Sequence, residues 1–191
     1  MGRVNREEVG AAFEAMMNSA KDPSSSDPVP PGLIPIGEMV GEDQKDAVLL
    51  QRMSRDAEEY LLSHAWCSSA ECRYFGGGVG GIFAIFLCRI DSPRPDVGPW
   101  IWAMVGDVPG ACLPLEDAPT PAAVFHLYLD GMARWVELAR EGKTGSDEDG
   151  VPPVNVPATP EWADRLSGRL NLIRLLLMSR FDPNAESDQV H

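Results

Sequence analysis

The chain has 191 residues, 44% of them hydrophobic, and carries a formal charge of −13 from 29 acidic against 16 basic side chains. A chain of this length can bury roughly 70% of the surface its unfolded form exposes, so one domain with a sizeable core is expected. The acidic excess argues against partners held by phosphate groups, nucleic acid and anionic membrane alike, and favours a basic protein or a cation.

At the amino terminus, Asn5 followed by Glu8 has the form of a capping box, and Val9, Phe13, Met16 and Met17 then share one helical face. An amphipathic helix is predicted within residues 1–20. Glu7, Glu8 and Glu14 interrupt its apolar positions, so it lacks the hydrophobic stretch of a signal peptide, and Arg6 stands where a myristoylation signal needs Ser or Thr. The longest apolar run, Ile82 to Cys88, is far short of the ~20 residues a membrane helix requires. A soluble, cytoplasmic protein is therefore expected, with Cys67, Cys72, Cys88 and Cys112 kept as free thiols.

Residues 21–41, rich in Pro, Ser and Gly, read as a linker to a single domain at 42–182, with a flexible tail at 183–191. From Asp43, Leu49, Leu50, Met53, Ala57, Tyr60 and Leu61 recur at threes and fours, which predicts an amphipathic helix ending near His64 to Cys67. Arg73 to Phe75 has the composition of a short strand, and five glycines then fill six positions from Gly76 to Gly81. Ile82–Ile90 and Trp100–Val105 are β-branched and aromatic without polar alternation, which predicts strands covered on both faces. GDVPG at 106–110 is turn chemistry, and Ala111–Leu115 returns as a further strand whose Pro114 fits only an edge.

Thr120-Pro121 and Thr159-Pro160 each place a capping Thr before a Pro suited to the first helical position. The first of these helices should run to Glu141, with Gly142 as its carboxyl-terminal cap. The last should turn Trp162, Leu166, Leu170, Ile173 and Leu177 inward. Between them lies an acidic, proline-rich connection that includes Asp147, Glu148 and Asp149. The expected fold is α+β: a small antiparallel meander of three to four strands packed with about four helices.

Gly76, Gly78 and Gly81 satisfy G-x-G-x-x-G, but a dinucleotide cradle requires a helix directly afterwards, and a strand is predicted there instead. The glycines are read as a bend that lets a backbone or ring approach closely. His64, Cys67 and Cys72 offer at most three soft ligands, fewer than structural zinc takes, so no metal and no cofactor are expected. A thiol nucleophile could draw on Cys67 or Cys72 with His64 or His126 and Asp107 or Glu71, an arrangement that only the fold can create. Trp100 and Trp102 fall on one strand face and read as core. Arg165 and Arg169, one turn apart, read as surface ion-pair partners, with the grip of a carboxylate or phosphate as the other use.

The loop DSPRPDVGP at 91–99 is stiffened by three prolines and bears Asp91, Arg94 and Asp96. A stiff loop loses little entropy on binding, so these residues, with Asp147, Glu148 and Asp149, form the predicted partner-binding surface. The function expected is non-catalytic binding of a basic protein partner, as an inhibitor or immunity-type neutraliser. The alternative is an enzyme or small-molecule binder with a pocket among the Gly76–Gly81 bend, the helix end at His64 and Cys67, and the GDVPG turn.

Overall fold

Phe83–Asp91 and Trp100–Gly106 form the central strands of the structure, a computed structural model. Alternate residues of the first face opposite ways: Phe83, Ile85 and Leu87 enter one apolar cluster, while Ala84, Phe86, Cys88 and Ile90 enter another. In the second, Trp100, Trp102 and Met104 oppose Ile101, Ala103 and Val105 in the same way. Both faces are thus covered, which is why neither strand alternates polar with apolar residues.

Residues 29–144, 154 and 156–181 are described. The predicted helix within 1–20, residues 21–28 of the expected linker, Asp147, Glu148, Asp149 and the tail at 183–191 lie outside them. The chain divides at Pro30 into two units, and the elements below belong to the second, Pro31–His191.

The fold is α+β. One antiparallel meander runs β1 (Ile34–Pro35), β2 (Ser69–Val79), β3 (Phe83–Asp91), β4 (Trp100–Gly106) and β5 (Ala111–Pro114), each strand beside its sequence neighbour. The helices are α1 (Gln44–Leu62), α2 (Pro121–Arg140) and α3 (Pro160–Phe181), and a 3-10 turn spans Ile36–Glu38. Among the described residues there are therefore five strands and three α-helices, against the expected three to four strands and about four helices. The extra strand, β1, lies inside the proline-rich stretch and pairs Ile34 with Phe75 and Pro35 with Tyr74. An edge position accommodates Pro35, which has no N–H to give to the ladder.

Helix α1 covers one sheet face through Leu50, Met53, Ala57 and Leu61. The α2 and α3 pair covers the other, with Phe125, Met132 and Trp135 from α2 and Leu166, Leu170, Ile173 and Leu177 from α3. Capping follows the sequence signals. Asp43 accepts from the Asp46 N–H at 2.8 Å, and Thr120 accepts from the Ala123 N–H at 3.1 Å. At the end of α2, Gly142 takes φ +69° while Lys143 N–H donates to the Leu138 carbonyl at 2.9 Å, a Schellman closure. Trp102, fully buried, donates its indole N–H to the Ala118 carbonyl at 2.7 Å. No helix among the described residues is long and apolar enough to cross a membrane.

Two expectations are corrected. Cys72 and Cys88 are not free thiols: they are direct partners in the β2–β3 register and are joined by a disulfide, while Cys67 and Cys112 remain free. Trp162 does not turn inward. It is 39% exposed, and its neighbour Ala163 takes the inward place on α3.

The glycine run feeds a strand, not a helix, since residues 76–79 continue β2 and β3 begins at Phe83. The Gly77 backbone has φ +148°, and a Cβ there would stand 2.5 Å from the Phe181 ring at the end of α3. The glycines therefore form a flat strip on which an aromatic ring lies, closed by a turn in which Gly80 N–H donates to the Asp46 carboxylate at 2.6 Å.

Candidate functional site

The turn joining β4 to β5 is fixed from four directions. Asp107 N–H donates to the Ile82 carbonyl at 3.0 Å. The buried Tyr128 donates its hydroxyl to the Pro109 carbonyl at 2.8 Å. The Tyr60 ring lies close enough to Gly110 that a Cβ there would come within 2.9 Å of it. The Asp107 carboxylate pairs with Arg169 of α3 at 2.6 Å. GDVPG supplies the turn chemistry, but its rigidity comes from residues far along the chain, Tyr60 and Ile82 before it and Tyr128 and Arg169 after it.

Two open grooves share this turn. The first, of about 420 Å³, runs between α1 and the turn, with Leu49, Arg52, Asp56, Tyr60 and Gly81 on its walls. The second, of about 560 Å³, runs between the turn and the start of α3, lined by Val108, Pro109, Val156, Trp162, Arg165 and Arg169 among others. Arg165 lies over the Trp162 ring, 5.2 Å from its centroid. Trp162, Arg165 and Arg169 stand at i, i+3 and i+7, one stripe of the helix.

Burial governs the phenol of Tyr60, on the wall of the first groove, and the thiol of its neighbour Cys112. The Tyr60 phenol is pushed well above its ordinary value of 10.0, first by burial and then by the neighbouring Cys112. Burial likewise raises the Cys112 thiol. Both groups are neutral at physiological pH, and a thiol raised in this way is the reverse of an activated nucleophile.

Residues singled out in the sequence separate into three places. Asp91, Arg94 and Asp96 stand exposed at the opposite end of the sheet, where Ser69 donates its hydroxyl to the Asp91 carboxylate at 2.7 Å. Arg94 pairs with Asp96 and holds that carboxyl below its usual range, so much of the charge on this loop is satisfied within it. His64 packs its ring between Tyr60 and Trp66, with centroids at 4.9 and 5.0 Å, and its Nδ1 lies 2.9 Å from the Tyr60 carbonyl oxygen. Cys67 donates to the Ser69 carbonyl, burial raises its thiol, and Cys72 is held in the disulfide. These residues do not converge on a ligand set: among the described residues no group of three or more His, Cys, Asp or Glu is placed to hold a metal.

The expected pocket among the glycine bend, the first long helix and the GDVPG turn coincides in part with the first groove, which includes Gly81, Tyr60 and the turn but neither His64 nor Cys67. The second groove was not anticipated. Its signal in the sequence is the Trp162, Arg165, Arg169 stripe, hidden because Trp162 also fits the apolar period of α3. No family profile, no curated protein and no solved structure matches this chain.

Proposed function

We propose that this chain acts by binding, and that its site is the pair of grooves flanking the Gly106–Gly110 turn. The observation that carries the reading is the rigid turn itself, held by Ile82, Tyr60, Tyr128 and Arg169 between cavities of about 420 and 560 Å³. Cavities of roughly 300–1,000 Å³ with apolar walls and a few polar groups are the usual size for small ligands, and a turn that is already ordered loses little entropy on binding. Screening a small-molecule fragment library against the isotopically labelled chain tests it. Chemical-shift changes should gather on Gly106–Gly110, Tyr60 and the Trp162 indole. Changes gathered on residues 91–99, or none anywhere, would remove the grooves as the site.

A second reading is favoured by the formal charge of −13 and by the exposed carboxylates Asp91, Asp96, Glu116 and Asp117. On this reading the chain neutralises a basic protein partner, as an inhibitor or immunity-type protein would, through the acidic end of the sheet. Affinity capture from the native host at low and moderate salt separates the two. A specific basic protein released as salt rises, and lost with Asp91→Asn and Asp96→Asn together, supports the second. The Cys72–Cys88 disulfide favours an oxidising compartment over the cytoplasm expected from the sequence.

A further inference from the structure

The groove between the β4–β5 turn and α3 stands out in an acidic chain because its charged lining is Asp107, Arg165 and Arg169, two cations against one anion. Its remaining walls, Val108, Pro109, Val156, Trp162 and Leu166, are apolar. Resting on the reading of the grooves as the binding site, we infer that this groove takes a small ligand with a planar apolar body and one carboxylate.

The geometry carries this in three steps. Trp162 and Arg165 already make a stacked pair, with the guanidinium 5.2 Å from the ring centroid, so the groove presents a flat aromatic and cationic wall. Arg169 is held at the other end by Asp107, through Nη2 to Oδ2 at 2.6 Å. A guanidinium has five N–H donors in a fixed fork, and this contact engages one edge of it, so Arg169 can also receive a carboxylate from the groove. Both partners of that ion pair are about half exposed, at 52% and 56%, which keeps the bond weak enough to exchange. Asp107 is thus an internal stand-in for the carboxylate of the ligand. The ligand's apolar body then lies on Trp162, Leu166 and Val108, where taking its apolar surface out of water favours binding.

The arrangement gives Asp107 an unusual sign. It belongs to the site, yet it competes with the ligand for Arg169, so removing its charge should tighten binding rather than weaken it. An aromatic acid should bind better than its neutral amide, and inorganic phosphate, which has no apolar body, should bind poorly.

The test uses phenylacetate, phenylacetamide and inorganic phosphate as probes, titrated into the full labelled chain while the Trp162 indole and Arg169 Nε signals are followed. Phenylacetate is expected to move both signals saturably and to bind at least tenfold more tightly than the amide or phosphate. Arg165→Gln and Arg169→Gln, both on the exposed side of α3, should each weaken it about tenfold, Asp107→Asn should tighten it several-fold, and the distant Arg94→Gln should leave it unchanged. Equal affinity for acid and amide, or loss of binding in Asp107→Asn with an unchanged backbone spectrum, overturns the inference. If the amide or other neutral fragments still bind there, the groove reading survives without it. If no fragment binds either groove, both fall together.

Discussion

Strand β4 is bracketed by two connectors that are stiff for different reasons. Residues 91–99 are stiff by composition, with Pro93, Pro95 and Pro99 fixing the backbone and Arg94 and Asp96 pairing with each other. Residues 106–110 are stiff by their surroundings, since Tyr60, Ile82, Tyr128 and Arg169 come from four other parts of the fold to hold them. The first loop stands in solvent with its charges turned on one another. The second lies between two helices, α1 on one side and α3 on the other, and so acquires a groove on each flank. Rigidity alone does not make a site: walls do, and walls come from elements distant in sequence.

Three perturbations test that contrast. The largest effect is expected from the Cys72–Cys88 disulfide, which ties β2 to β3 close to Asp91, on the side of the 91–99 connector. It closes a loop with a sequence separation of 16, for which loss of the crosslink costs about 3 kcal/mol in the chain-entropy account. Intact mass before and after reduction should reveal the bond. Reduction should lower the unfolding midpoint, and hydrogen exchange should rise first at Ser69–Glu71 and Ile90–Asp91 rather than at the 106–110 turn. A faster rise at the turn would reverse the assignment of which connector the crosslink supports.

Next in size is Tyr128→Phe, which removes the hydroxyl donated to the Pro109 carbonyl and should cost about 1 kcal/mol, with exchange increased at 106–110. The same residue makes a pH prediction. Burial raises the Tyr128 and Tyr60 phenols above 10.0, so their neutral forms contribute stability that is whole below about pH 10. As pH rises past that value the unfolded chain ionises while the folded one does not, and stability falls. Tyr128→Phe should flatten that alkaline decline, and an unchanged slope would mean the hydroxyl is not buried against the turn.

The smallest effect belongs to Arg94→Gln. Both partners of its ion pair with Asp96 are more than half exposed, so the unfolding midpoint should not move measurably, and salt should not separate variant from parent. A clear loss of stability would show that the 91–99 connector is held by more than its prolines and its own ion pair.

Much of the fold was legible in the residues. Strands β3 and β4 announced themselves because burial on both faces removes polar alternation, and α2 and α3 because Thr-Pro marks each start. Strand β1 was not, since two residues in a proline-rich stretch pair only because the β2 edge is there to receive them. The disulfide was hidden because only the β2–β3 register, with its irregularities between Cys72 and Tyr74 and between Phe75 and Gly77, sets Cys72 opposite Cys88. Of the candidate site, the GDVPG turn and the Arg165 and Arg169 pair were visible as motifs. Their meeting through Asp107 was not, because nothing in local spacing links residue 107 to residue 169.

The amino-acid sequence alone settled where the long helices, the two central strands and the GDVPG turn lie, and that those strands would be covered on both faces, because local periodicity and capping are written in neighbouring residues. Only the tertiary structure decided that Trp162 faces solvent, that Phe181 rests on Gly77, and that a five-residue turn becomes the shared wall of two grooves. Those outcomes depend on how helices pack across a sheet, and packing is a relation between residues far apart in the chain.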